Sequence, residues 1–522
     1  MVQMIDKKII CFLLGRAAFA MGLAYIVPIC YALFTMQDQR NIIFFSTLFI
    51  ICMAIGTVFT YKGRNHRNRI KINESATAMI VIWPLLTILG TIPFIATFSL
   101  SPANAILETT SNLTTAGLSL LPDNAPYILK LWQSTLMWLG SFAFLCILVT
   151  VLPEVSGCFG MELSLSQGQI FSPMIGQMRL MARKILIIYE VVTLISFMLF
   201  KLAGLDNWDA LSMAMRCIST GGGNFFAGKG SFYVEYAAIF SMLMACGNFL
   251  FYFRLLNTII PPQSSLNLVK PIKPSEFAKG IQKLIANFFV LIRRNARENF
   301  KIFFKNSEVQ FLLITILGCT FFILFTTFNA VVDGNLNFKL ALFEVVSYMS
   351  TTGISNTDVS QLPDHTKFIL YMLAVVGGCM GSVTSGLKII RIIILFKLAK
   401  IETLKVIHPR MITNIKISGT SVPMKIVGRV LSFFFLCSVT LFIFSMILSL
   451  SGQPFSTSVA MSMACLTNIG PLPGICESSA FMTLPALMKL FCCLILVVGR
   501  MEIFAFLILI AFLRKNNERR PW

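Results

Sequence analysis

The chain is laid out as long apolar runs separated by short polar intervals, and the lengths of the runs carry most of its structural information. Residues 9–35 and 41–61 each exceed the roughly 20 residues a helix needs to cross a hydrocarbon core, so they predict two spanning helices. Behind them a new pattern begins, a long run, a short run and a second long run, and it occurs four times. The runs fall at 76–98, 103–113 and 129–152; at 184–204, 208–218 and 232–257; at 309–331, 338–349 and 367–397; and at 427–450, 455–466 and 484–513. The short runs cannot span. They predict re-entrant helices, which are tolerated only where protein or a water-filled cavity surrounds their ends. The carbonyl end of such a helix carries partial negative charge, and aiming it at the membrane centre favours a cation there. The expectation is an all-α polytopic membrane protein with an N-terminal helix pair over 1–75 and helix, pore-loop, helix units around one central pore. The units occupy 76–160, 161–260, 309–400 and 401–522, with a basic linker over 261–308.

Each short run ends in a small polar string that contains glycine. The strings are Thr114-Thr115-Ala116-Gly117, Ser219-Thr220-Gly221, Ser350-Thr351-Thr352-Gly353 and Thr467-Asn468-Ile469-Gly470. They recur roughly 100 to 130 residues apart, a fixed-period repeat that is itself a fold signal. A dehydrated cation must be surrounded by oxygens, which backbone carbonyls and Ser or Thr hydroxyls can supply in layers. Glycine admits backbone angles closed to other residues and so lets successive carbonyls aim at an axis. One such string is a common turn, whereas four at matched positions point to one composite cation site. Helix caps between unrelated spans are the plainer alternative.

Composition narrows the class. Of 522 residues 56% are hydrophobic and 12% charged, and the mean hydropathy of +0.80 excludes an ordinary soluble protein. A net charge of +21 would suggest a nucleic-acid partner in a soluble domain. Here the cations cluster in the intervals predicted to be cytoplasmic, as the positive-inside rule requires, and no nucleic acid is implied. The clusters run through Lys62, Arg64, Arg67, Arg69 and Lys71, through Lys270 to Lys305, through Lys397 to Lys416, and through Arg514 to Arg520, which places both termini in the cytoplasm. Lys7 and Lys8 precede an apolar run too long for a signal-peptide core, so the first helix is expected to be retained. Asp123, Asp206, Asp333, Asp358, Asp364 and Glu477 fall on the opposite side, where they either concentrate cations at an outer mouth or are ordinary solvated carboxylates. Residues 262–308 interleave basic and apolar positions and predict an amphipathic surface helix or a docking site.

Enzyme chemistry finds little support. The 14 cysteines lie mostly in apolar runs and read as small buried hydrophobes, and the three histidines form no metal-binding motif. No nucleotide fingerprint is present and no covalently bound cofactor is implied. Catalysis or solute transport would need clustered ionisable residues in the spans, but these are nearly devoid of them, with Glu190, Glu344 and Glu502 as exceptions. Glu108 and Glu344 sit in the short runs and can be read as ordinary exceptions or as buttresses of the glycine strings.

Two interior features stand out. Gly377, Gly378, Gly381, Ser382, Thr384, Ser385 and Gly386 interrupt what would otherwise be one long apolar helix. A break is expected there, forming a loop beneath the glycine strings that blocks the pore when closed; the alternative is a continuous helix packed through small residues. Arg500 lies inside the last apolar run, where a charge at the centre of a span costs roughly 2.5 to 3.5 kcal/mol on insertion scales. Glu502, two residues on, faces another side of the helix. Arg500 is therefore expected to point into the pore cavity and be solvated by the 377–386 loop, with snorkelling to the interface as the alternative.

The strings LTTAGLS, STGGG, STTGIS and TNIGP resemble those of the Trk/Ktr/HKT superfamily of potassium transporters. So do Trp132 with Trp138-Leu139-Gly140, the run GGCMGSVTSGLKIIR, His408-Pro409-Arg410 and Gly499-Arg500-Met501-Glu502. The extra N-terminal pair is most similar to the bacterial TrkH/TrkG branch rather than the shorter KtrB branch. The resemblance implies potassium uptake across the cytoplasmic membrane, channel-like or proton-coupled, through a filter built from the four strings. A sodium-permeable or poorly selective transporter of the same fold is the alternative; glycine in all four strings favours potassium. It further implies a homodimer, a peripheral nucleotide-binding regulator of the TrkA type, a gate formed by the interior loop, and Arg500 as a barrier beneath the filter. The chain departs from the family pattern at GSFAF after the first string, at Gly223, and at Val383 and Ser385 in the loop.

Overall fold

A computed structural model describes residues 6–36, 39–64, 72–122, 124–150, 175–223, 232–249, 251–252, 306–328, 338–357, 359–410, 414–417 and 420–501. Most of the expected linker lies outside these residues. So do Asp123, Asp333, Asp358, Glu502 and the C-terminal basic cluster.

The first apolar run is one span with a kink. Helix α1 (Lys7–Ala24) is capped by Asp6, whose carboxylate accepts from the Lys8 amide at 3.0 Å, and α2 (Ile26–Phe34) continues it beyond Tyr25. The reason is Pro28, which has no N–H to bond the Ala24 carbonyl one turn back. Helix α3 (Gln39–Lys62) packs closely on α1, since a Cβ at Gly56 would meet the Phe19 ring. Tyr25 anchors the pair to the rest of the chain: its ring stacks on Trp132 at 4.4 Å and its hydroxyl donates to the Leu89 carbonyl at 2.7 Å.

Four units follow. The first comprises α4 (Ile72–Phe98), α5 (Pro102–Leu113) and α6 (Tyr127–Thr150), and the second α7 (Ile175–Leu202), α8 (Asn207–Ser219) and α9 (Phe232–Cys246). The third has α10 (Ser307–Phe328), α11 (Phe338–Met349) and α12 (Asp364–Val376), with α13 (Ile389–Ile407) beyond a break. A two-stranded antiparallel pair, β1 (Lys416–Ile417) and β2 (Thr420–Ser421), precedes the fourth unit of α14 (Met424–Ser449), α15 (Phe455–Thr467), the short α16 (Ser478–Met482) and α17 (Ala486–Met501). The re-entrant helices α5, α8, α11 and α15 have 12 or 13 residues, or about 18–20 Å, some two-thirds of a bilayer core.

Six helices are long and apolar enough to span a membrane among the described residues. Their outward faces suit lipid; on α14, Phe434, Phe435, Phe442, Ile443 and Met446 are all exposed. The units close into a ring because the second long helix of each packs on the re-entrant helix of the next: α6 on α8, α9 on α11, α12 on α15, and α17 back on α5. This buries the re-entrant helices, polar residues included, at the centre of the molecule.

Two long runs are less regular than their hydropathy suggests. The run at 232–257 is helical only to Cys246, with Gly247 and Asn248 outside the helix before helical geometry resumes. The run at 367–397 stops at Val376 and restarts at Ile389.

Candidate functional site

All four glycine strings leave their re-entrant helix in the same way. Thr115, Thr220, Thr351 and Asn468 adopt left-handed backbone angles, with φ of 61°, 56°, 54° and 49°. The next amide reaches back five residues: Ala116 to the Ser111 carbonyl at 2.8 Å, Gly221 to Arg216 at 2.9 Å, Thr352 to Ser347 at 2.9 Å and Ile469 to Ala464 at 3.3 Å. This is a Schellman closure, which reverses the chain at a helix end while satisfying its last carbonyls. Threonine rarely accepts such angles, so three of them at one structural position mark a constrained site.

That closure also fixes the register. Gly221 matches Ala116, Thr352 and Ile469, so Gly222 is the counterpart of Gly117, Gly353 and Gly470. The expected string ended at Gly221; the backbone extends it by one residue. Three consecutive glycines carry no side-chain signal that could have distinguished the two alignments.

The glycines form a closed ring. A Cβ on Gly117 would overlap the backbone of Gly222, and one on Gly222 would lie 2.8 Å from the Thr352 carbonyl oxygen. One on Gly353 would overlap the Ile469 carbonyl oxygen, and one on Gly470 that of Ala116. Each loop thus abuts the next, from the first to the fourth and back, and the carbonyls of Ala116, Thr352 and Ile469 converge at the centre. Such a ring can replace part of a cation's hydration shell.

Buried carboxylates brace the strands that leave the ring. Glu108 and Glu344 hold equivalent positions in α5 and α11. Glu108 accepts from the Leu120 amide and the Gln133 side chain, each at 2.5 Å, and from Asn112 at 3.0 Å. Glu344 accepts from the amides of Asn356 and Thr357 at 3.0 and 3.2 Å and from the hydroxyls of Ser355 and Thr357 at 2.9 and 3.0 Å. Of the two readings of these residues, the geometry favours the buttress. Arg216, absent from the expected set, is buried in α8 and donates to the Gly222 carbonyl at 2.9 Å. Its sequence signal was an arginine inside a re-entrant run, in the last turn before the glycine string.

Beside the ring, residues 377–388 are non-helical, with φ of 70°, 80° and 83° at Gly377, Gly381 and Gly386. Gly378 donates its amide to the Thr384 hydroxyl at 3.1 Å, which pairs with Ser382 at 2.6 Å, and Lys388 donates to both hydroxyls. Outward, the Met380 amide donates to Glu308 at 3.2 Å and the Ser385 amide to the Thr351 hydroxyl at 3.0 Å. Arg500, 1% exposed, donates through Nη1 to the Val383 carbonyl at 3.0 Å and the Ser385 hydroxyl at 2.9 Å. Its guanidinium lies over the Phe144 ring at 4.1 Å, while Nε and Nη2 have no hydrogen-bond partner among the described residues. The structure therefore brings together Arg500, the interior loop and the third glycine string. Lys388 and Glu308 complete the cluster and were not among the expected residues.

A ring of re-entrant helices and glycine loops inside spanning helices defines a multi-pass pore-loop membrane protein. A family model described as "TrkH: Cation transport protein" matches residues 41–519. The chain belongs to this family of cation transport proteins, which are transporters and not enzymes. It is 26% identical over 482 residues to the Trk system potassium uptake protein TrkH of Escherichia coli (strain K12), covering 89% of this chain and 90% of the relative. It is 27% identical over 523 residues to the protein of the same name from Halomonas elongata, covering 97% and 99%. The crystal structure of the potassium transporter TrkH from Vibrio parahaemolyticus superposes with a TM-score of 0.78 at 23% identity, covering 97% of this chain and 98% of that one, which shows a shared fold.

Proposed function

We propose that this protein takes up potassium across the cytoplasmic membrane through a filter formed by residues 114–117, 219–222, 350–353 and 467–470. The observation that carries the reading is the closed ring, in which each glycine meets the next loop with no room for a side chain. Relatives named as potassium uptake proteins along nearly their whole length support the choice of ion. The 377–388 loop is the gate in this reading. Arg500 latches it and sets a positive charge in the path of a permeating cation. The protein works as a homodimer, with its termini and basic loops in the cytoplasm, where a nucleotide-binding regulator of the TrkA type docks. Domain organisation follows the helix pair, the four units and the linker set out above.

Rubidium tracer uptake into proteoliposomes, with sodium and pH gradients varied, tests the proposal. Uptake should be competed by potassium at far lower concentration than by sodium. Equal competition would replace the reading with a poorly selective transporter, and no cation-dependent uptake would remove it.

A further inference from the structure

The four units treat one helix position differently. In α5 and α11 it holds Ser111 and Ser347, whose hydroxyls bond the residue just past the glycine: Ser111 accepts from the Leu118 amide at 2.8 Å and Ser347 donates to the Ile354 carbonyl at 2.5 Å. In α15 it holds Ala464, and in α8 it holds Arg216. The second unit alone therefore sets a charged side chain there. Arg216 Nη1 donates to the Gly222 carbonyl at 2.9 Å, Nε to the Ser134 hydroxyl at 2.8 Å and Nη2 to Gln133 Oε1 at 3.0 Å. Ser134 and Gln133 belong to α6, behind the ring. The Gly222 carbonyl is thus bonded toward the back, while the Cβ direction of that glycine points at the convergent carbonyls of Thr352, Ala116 and Ile469. The nearest counter-charge in this chain of contacts is Glu108, reached through Gln133.

We propose that Arg216 is a specificity-determining residue: it holds the Gly222 carbonyl, one residue past the second loop's counterpart of the convergent carbonyls, and fixes a positive charge behind the ring, so that cations bind more weakly at the second loop. Conduction requires binding firm enough for entry and weak enough for exit. A partly compensated positive charge behind the second loop moves that balance toward exit. Glu108 tunes the same balance from the other side, since its carboxylate offsets part of the arginine's charge while bracing the first strand through Leu120.

The inference rests on the proposed potassium pathway, and the full chain in proteoliposomes tests both. Arg216→Gln removes the charge and keeps a donor, Arg216→Lys keeps the charge, and Glu108→Gln removes the counter-charge while keeping an acceptor for Leu120. Half-saturating rubidium and the potassium concentration that halves rubidium uptake are measured for each. Arg216→Gln should lower both about tenfold, the scale of one unit charge nearby at the effective dielectric of a protein interior, and should also lower maximal uptake through slower exit. Arg216→Lys should stay within about twofold of the parent and Glu108→Gln should shift the opposite way. Equal shifts in Arg216→Gln and Arg216→Lys, or shifts of one sign in Arg216→Gln and Glu108→Gln, would assign these residues to packing and overturn the inference. If Arg216→Gln is not recovered folded, the sign of the Glu108→Gln shift decides alone. A parent without potassium-competed uptake sinks the pathway itself, whereas a selective parent with unchanged variants sinks only the role of Arg216.

Discussion

Replacing Gly353 by serine is the sharpest perturbation of the ring, because two independent physical costs fall on one atom. Gly353 has φ of 67°, in the left-handed region where a β-carbon costs about 1–2 kcal/mol. That carbon would also overlap the Ile469 carbonyl oxygen of the fourth loop, so the neighbouring strand must shift. The displaced oxygen is one that the proposed filter presents to the ion. A loss of 1–2 kcal/mol in the preference for potassium over sodium corresponds to a fall of roughly 5- to 30-fold in their discrimination. The assay is rubidium uptake competed by potassium and by sodium, read as the ratio of the two half-inhibiting concentrations. Gly318→Ala is the control, since Gly318 lies in α10 with nothing within 4 Å of an added Cβ and should keep the parent ratio. A Gly353→Ser protein with parental yield and a ratio within about twofold of the parent would refute the reasoning. So would an equal fall in the control, which would place the effect in folding.

Three further outcomes are expected. Arg500→Ala removes the two donors to Val383 and Ser385, each worth about 1.5–3 kcal/mol as a charged hydrogen bond, and should raise uptake by the isolated protein about tenfold or more; flux at or below the parent level would restore a purely structural arginine. Deleting residues 381–385 should likewise raise uptake without any regulator, and unchanged basal uptake would argue against a gating loop. Glu344→Gln weakens four hydrogen bonds to the strand leaving the third loop and should cost about 1–3 kcal/mol of stability in detergent unfolding, with reduced potassium preference; a parental midpoint would show that the carboxylate does not brace the strand.

The repeated units were legible in the sequence because burial in a membrane forces every helix to announce itself by length. The kink at Tyr25 was legible in principle from Pro28, since its missing N–H acts locally. The register of the second loop was not, because Gly221, Gly222 and Gly223 differ only in backbone geometry. The break after Cys246 was hidden for another reason. Glycine is common in membrane helices, so Gly247 in an apolar run does not by itself predict a break. What opens the helix there is the interior loop of the third unit, a tertiary partner more than a hundred residues away in sequence. The order of units around the ring was likewise invisible, because identical patterns do not state which neighbour each helix packs against.

That partnership explains why the lower halves of the four units differ. Each unit carries a glycine in its second long helix at a comparable distance past its loop. In the first and fourth units the helix passes through the glycine without a break, and Gly140 and Gly499 lie directly against the carbonyls of Leu113 and Leu466 at the ends of α5 and α15, where no Cβ would fit. In the second and third units it breaks, at Gly247 and at Gly377. The backbone groups freed by the two breaks satisfy each other: the Cys379 amide donates to the Cys246 carbonyl at 3.3 Å and the Phe249 amide to the Gly381 carbonyl at 3.0 Å. Inside a membrane an unsatisfied peptide group costs several kcal/mol, so neither break is stable without the other. Moving the 377–388 loop out of place therefore means parting it from α9 as well as from Thr351, Glu308 and Arg500. Under the proposed gating role, opening is a rearrangement of the second and third units together, coupled through these two hydrogen bonds.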